Sequence, residues 1–267
     1  TLSISSKSNL QLNVYNNTVK TFSIKTNNFA THDNTIGSLT AEGDNLTFYN
    51  NQVGSAGIDG GKNIQINGTY FKTIYLGNAC ENLTFSNNVV DGLLHVFSNN
   101  NTIVGNKINS TSDYAIDLKK TSGNIVANNY LLSSKEFGNS AVKFANENVI
   151  KDNYPIAPDV LINVELIDNF DNIVTVTVPN STGAVTIEVS DRKYTLTLES
   201  GAATQRILGL DPGNYNLTVK YQDDKSPIYA TNATSIRVPK IDTYIFQVPV
   251  TEYIEGNVKL SITLPSD

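Results

Sequence analysis

The chain has 267 residues, 19 Lys and Arg against 25 Asp and Glu, and a formal net charge of −6. An acidic balance with no basic patch argues against nucleic acid as a partner, and no stretch approaches the 18 apolar residues of a membrane span. Cys80 is the single cysteine, so neither a disulfide framework nor a cysteine metal cluster is expected.

Composition divides the chain near Asn153-Tyr154-Pro155. Of 36 asparagines 28 precede residue 155, whereas all eight prolines and all three arginines (Arg192, Arg206, Arg237) lie at or after it. The chain starts at Thr1 and contains no methionine, as expected of a processed form or a piece of a longer protein.

Before the divide, Asn9, Asn28, Asn45, Asn63, Asn82, Asn101, Asn124 and Asn148 recur at gaps of 19, 17, 18, 19, 19, 23 and 24 residues. A period of this size marks a coil stacking on copies of itself. The residues after each asparagine alternate: Leu10 and Leu12, Leu46 and Phe48, Ile64 and Ile66, Leu83 and Phe85. Ile125, Val149 and Val104 take the same inward positions in the later coils. A second asparagine follows at Asn50, Asn87, Asn106, Asn129 and Asn153, and a second apolar position at Ile36, Val53, Phe71, Val90 and Leu132. A third short strand precedes the next asparagine, as in Ile74-Tyr75-Leu76, Leu94-His95-Val96, Ile116-Asp117-Leu118 and Val142-Lys143-Phe144. Period-2 alternation in three short strands per turn, with no proline to interrupt the ladders, predicts a parallel β-helix over residues 1–154. About eight coils are expected. The irregular spacing lacks a strict six-residue rhythm and favours a right-handed coil. The asparagines are read as corner residues that tolerate left-handed backbone angles and bond one another in ladders.

After residue 155 the strands lengthen. Leu161–Leu166, Ile173–Val178, Val185–Val189, Tyr194–Leu198, Ala203–Ile207, Gly213–Tyr221 and Ser235–Val238 are separated by turn signals such as Leu-Asp-Pro-Gly213. Seven short strands predict an immunoglobulin-like β-sandwich over 155–249. Val174-Thr-Val-Thr-Val-Pro-Asn180 is echoed by Leu260-Ser-Ile-Thr-Leu-Pro-Ser266, so residues 250–267 read as the start of a second such repeat. The fold class is therefore all-β.

Val174–Val189, Lys193-Tyr194 and Gly209-Leu-Asp-Pro-Gly-Asn-Tyr-Asn-Leu-Thr-Val-Lys-Tyr221 resemble the Ig-like repeats of adhesin-like surface proteins of methanogenic archaea. In that family an Asn-rich parallel β-helix commonly precedes tandem Ig-like modules. The resemblance implies an extracellular location on the cell surface or wall. It also implies adhesion to other microbial cells, wall polymer or glycan, and further Ig-like repeats in the same chain. It supplies no catalytic residues and no cofactor.

The β-helix segment lacks arginine, and Asp59, Asp91, Asp113 and Asp117 are scattered, so no catalytic constellation or metal site is read from it. His95 and Asp117 each alternate outward, and Asp117 is expected as a solvated partner of Lys143 or His95. Two late coils carry extra residues around Ser110-Thr-Ser-Asp-Tyr114 and Ser133-Ser-Lys-Glu-Phe-Gly138. Insertions on one side of a solenoid often form its binding face. Ser110, Asp113, Tyr114, Glu136 and Phe137 are thus the candidate binding residues. Asn109, Asn180 and Asn232 head Asn-x-Ser/Thr sequons near turns and are glycosylation candidates. The leading expectation is an adhesin with the β-helix as binding head and the sandwich as stalk. A structural cell-wall or surface-layer protein and a polysaccharide lyase or hydrolase are the competing readings.

Overall fold

The computed structural model describes residues 1–6, 11–167 and 171–240, together with the short antiparallel pair Tyr253–Ile254 and Asn257–Val258. Asn9, Leu10 and the echo at Leu260–Ser266 lie outside the described residues, as does the bulk of the proposed second repeat at 250–267. The fold is all-β, with one four-residue 3-10 turn at Gly138–Ala141. Two compact units are formed, Thr1–Pro158 with Gln222–Ala230, and Asp159–Tyr221 with the described residues from Thr231 onward.

The first unit is a parallel β-solenoid of about six turns. Face one stacks eight strands, from Leu12–Tyr15 through Phe29–His32, Leu46–Tyr49, Gln65–Asn67, Thr84–Ser86, Thr102–Val104 and Ile125–Ala127 to Val149–Lys151. About six turns stand against the about eight coils expected, and the two outermost strands of face one have a neighbour on one side only. Faces two and three are continuous in Thr18–Lys25, Thr35–Glu42, Gln52–Lys62 and Tyr70–Glu81. They separate in the later coils, as Val89–Val90 and Leu94–Val96 show. Inside, like positions stack in columns. One runs Leu2, Phe22, Leu39, Ala56, Ile74, Leu94, Ile116, Val142, and another Thr31, Phe48, Ile66, Phe85, Ile103, Val126. Each fully buried side chain contributes roughly 1.5–3 kcal/mol before conformational entropy is charged.

Two ladders hold the corners of face one. At its start Asn45 Nδ2 donates to Asn28 Oδ1 (2.9 Å), Asn63 to Asn45 (3.2 Å) and Asn82 to Asn63 (2.8 Å), all four residues at φ of 53–57°. At its end the corner takes two residues. A left-handed one (Asp33, Asn50, Gly68, Asn87, Gly105, Asn128, Asp152) is followed by a buried one (Asn34, Asn51, Thr69, Asn88, Asn106, Asn129, Asn153).

The first ladder changes character after Asn82. Thr84 pairs with Thr102, and Thr102 with Ile125, so the equivalents of Asn82 are Asn100, Gly123 and Glu147, which adopt the positive φ. Asn101, Asn124 and Asn148 stand one residue later and turn their amides inward or against the corner. This corrects the expected register, because a one-residue slip exchanges the two faces of a strand. Ile125 and Val149, expected inside, are 41% and 49% exposed, and Ile103 replaces Val104 as the buried residue.

The second unit contains two antiparallel sheets. One joins Leu161–Ile167, Asp171–Thr177 and Ala202–Ile207, and the other Arg192–Thr197, Ala184–Val189, Gly213–Gln222 and Tyr229–Val238. Strict alternation in Asp171–Thr177 and Ala184–Val189 buries Val174, Val176, Val185, Ile187 and Val189. Tyr229–Val238 begins six residues before the predicted Ser235, because the intervening polar Thr and Asn still accept an extended backbone.

Candidate functional site

The two stretched coils do meet. Lys135 Nζ pairs with Asp113 Oδ2 at 2.8 Å, Ser134 Oγ donates to the Ser112 carbonyl at 2.9 Å, and Ser133 Oγ stands 2.9 Å from the carbonyls of Asp113 and Glu136. The side chains expected to bind are divided by this packing. Asp113 is exposed, while Tyr114 and Glu136 are half-buried. Ser110 and Phe137 are buried at 4% and 6% exposure, so they support the loops and do not face solvent. Ser110 Oγ accepts the Ser112 N–H at 3.0 Å, closing the first loop on itself.

A second arrangement lies on face three. Strand register places Thr40, Gly57, Tyr75, His95, Asp117 and Lys143 side by side, one per coil. Beside this row a cleft of about 590 Å³ crosses five coils, with Ser38, Ser55, Thr73, Tyr75, Asp91, His95 and Thr111 among its walls. At about 4.8 Å per coil, four steps make it on the order of 19 Å long. The Tyr75 ring occupies the space a side chain at residue 57 would need: a Cβ on Gly57 would fall 2.4 Å from the ring. Tyr75 Oη donates to Asp59 Oδ1 (2.7 Å), which raises the phenol's pKa. Tyr70 Oη does the same to Asp91 Oδ2 (2.7 Å). Phe97, 44% exposed, meets Tyr75 edge-on at 6.5 Å and His95 at 6.0 Å.

Asp117 departs from expectation. It lies on the outward row, yet its side chain is only 6% exposed, because Lys119 folds over it at 2.8 Å. The Lys119 N–H donates to its other oxygen at 3.0 Å. Burial alone would raise this carboxyl's pKa; the Lys119 hydrogen bonds and charge outweigh it and hold the pKa below the ordinary value. His95 Nδ1 is 3.9 Å from Asp117 Oδ2 and has no hydrogen-bond partner. Burial, then the Lys119 charge, lowers the His95 pKa.

His32 belongs to a different feature. It stacks between Tyr15 (5.0 Å) and Tyr49 (4.4 Å) on face one, with Nδ1 2.6 Å from Asp33. Cys80 is buried, and burial pushes its thiol up to about 11, leaving little reactive thiolate at neutral pH. Of the sequon asparagines, Asn109 and Asn180 are exposed. Asn232 is exposed as a residue, but its Nδ2 donates to the Val160 carbonyl at 2.6 Å, which occupies the nitrogen a glycan would need.

His95, Asp117 and Lys143 were visible in the sequence as outward residues, but Tyr75, Gly57 and Phe97 were not singled out. The signal was present: aligning the third strands puts Tyr75, His95, Asp117 and Lys143 at one central position. Among the described residues no three His, Cys, Asp or Glu side chains converge on a possible metal position, and no helix is long and apolar enough to cross a membrane. Comparison with protein-family models, curated proteins and solved structures gave no match.

Proposed function

We propose that the chain is an extracellular adhesin-like protein of a microbial cell surface, whose solenoid binds glycan along face three. The observation that carries the reading is the cleft of about 590 Å³ lined by Ser38, Ser55, Thr73 and the 38% exposed ring of Tyr75. Hydroxyl groups in a regular row match the hydroxyls of a sugar chain, and an aromatic ring offers its apolar surface to sugar C–H groups. The Asp91 carboxylate on the cleft wall, held by the Tyr70 hydroxyl, supplies a further acceptor. A right-handed coil belongs to this reading, since crossovers between parallel strands take that hand almost universally.

The second unit is proposed as an Ig-like stalk. Its two antiparallel sheets support this, as does the Tyr215 hydroxyl donating to the Asp211 carbonyl at 2.8 Å, four residues upstream. A tyrosine so placed at the start of a strand is a recurrent Ig-like feature. Glycan cleavage is the weaker reading: both Asp117 oxygens are engaged by Lys119, which suits an ionised structural carboxylate better than a proton donor.

The test is binding of the whole chain to a broad panel of glycans and microbial cells, with Tyr75→Ala beside Tyr130→Ala as an exposed-tyrosine control. Binding should fall at least about 10-fold for Tyr75→Ala and persist for the control. No binding across the panel, or equal binding by Tyr75→Ala, would overturn the proposal.

A further inference from the structure

The outward row does not end where the cleft does. It continues from His95 over Asp117 to Lys143, and its chemistry changes on the way. The early coils present hydroxyls and the Tyr75 ring; the last two present ammonium groups set among aromatic rings. Lys119 Nζ lies 5.9 Å from the Phe97 ring centre, and Lys143 Nζ lies 5.7 Å and 5.0 Å from those of Tyr114 and Phe144.

The carboxylates on the row and on its neighbouring loop already have ion-pair partners. Asp117 is committed to Lys119 at 2.8 Å. Asp113, on the neighbouring loop, is committed to Lys135 at 2.8 Å. Among the described residues no carboxylate lies within ion-pair distance of Lys143 Nζ, which sits over the faces of two rings and acts on Asp117 only through its charge at longer range. An ammonium held against aromatic faces is partly desolvated and still has donors to offer an anion. The neighbouring backbone also departs from the regular corners: Lys119, Lys120 and Phe144 adopt φ of 48°, 63° and 58°. Three non-glycine residues in the left-handed region, one of them aromatic, are maintained beside this end of the row.

We propose that the Lys143 end of face three is a subsite for a carboxylate-bearing sugar, making the preferred ligand an acidic glycan whose neutral part lies in the hydroxyl-lined cleft. This rests on the glycan reading above. The uronate carboxylate pairs with Lys143 Nζ, while the Tyr114 and Phe144 rings limit water around the pair and strengthen it. Lys119 remains on Asp117 and contributes through its charge. Lys143 is here a specificity residue; the cleft supplies the sugar contacts common to acidic and neutral chains.

The experiment titrates the whole chain with an oligogalacturonate, with its fully methyl-esterified form and with a panel of neutral oligosaccharides, at low and at raised salt. The acid form should bind at least about 10-fold more tightly than the ester, and salt should erode that ratio. Lys143→Gln should bring the ratio close to one by weakening the acid form far more than the ester, and Lys143→Arg should retain most of it. Equal binding of acid and ester by the native chain overturns the subsite, as does a ratio indifferent to Lys143→Gln in a protein with native circular dichroism. Binding of neutral chains without the acidic one removes the subsite and leaves the glycan reading in place. Binding of no oligosaccharide at all removes both.

Discussion

At His95 the solenoid holds a neutral imidazole next to a lysine and an ionised aspartate. Burial, then the Lys119 charge, lowers its pKa below the ordinary 6.5. Above that value neither folded nor unfolded chain binds the proton, and His95 has no effect on stability. As pH falls below it the unfolded chain takes the proton first, so stability decreases until the folded-state pKa is also passed. Asp117 acts in a lower window. Its carboxyl lies below the ordinary 3.8, so its contribution is present above that value and is lost as pH falls through the folded-state pKa. The solenoid should therefore melt at a lower temperature at about pH 5 than at about pH 7, and His95→Asn should flatten that drop. Thermal melts at the two pH values decide it; an unchanged drop in His95→Asn would show that the loss originates elsewhere.

The ladders show how position along an element sets the value of one residue type. Asn129 is fully buried, and its Nδ2 has the Ile103 and Ala127 carbonyls at 3.0 Å and Asn153 Oδ1 at 2.9 Å within reach. Its Oδ1 accepts from the Asn106 backbone N–H at 2.8 Å and the Asn106 side chain at 2.9 Å. Asn129→Ala strands several of these groups away from water and should cost about 3–5 kcal/mol. Asn63 is exposed and its bonds compete with solvent, so Asn63→Gly, which keeps the φ of 57° accessible, should change stability by less than about 1 kcal/mol. Denaturant midpoints measure both; equal losses would mean that burial does not separate the two ladders. Much of this element-level order was legible from the sequence. The third-face strands and the first six C-terminal strands fall close to their predicted positions, because each combines clear alternation with turn residues; the seventh starts six residues early, at Tyr229. The slip at Asn101 was not legible, since Asn99-Asn100-Asn101 offers three identical side chains for one corner; only the neighbouring coil's register chooses among them. The buried ladder was announced by doublets such as Asn50-Asn51, Asn87-Asn88 and Asn128-Asn129, whose second members read as ordinary polar residues until a coil is stacked on each side. The candidate site was least legible. Its members come from separate coils, and a burial such as that of Asp117 depends on how Lys119 folds, which strand alternation does not report.

Over the whole molecule, stability rests on two apolar interiors. The buried cluster of the solenoid runs from Phe22 to Val142 and includes no residue of the Asp159–Tyr221 segment, whose own buried set includes Val174, Ile187 and Val219. Separate interiors should give two calorimetric transitions, one per unit. Phe85→Ala removes a fully buried ring and should cost about 3–5 kcal/mol, and Ile187→Ala about 2–5 kcal/mol. Each should lower one transition on the order of 10 °C and leave the other in place. A single peak, or a joint shift with either substitution, would show that the interiors melt as one. The same measurement bears on function. A ligand stabilises only the unit whose folded form binds it, in proportion to the logarithm of its concentration over its dissociation constant. A glycan seated on face three should therefore raise the transition that Phe85→Ala lowers and leave the Ile187→Ala transition unmoved. A shift confined to the other peak would place binding on the second unit and remove the solenoid from its proposed role as the binding head.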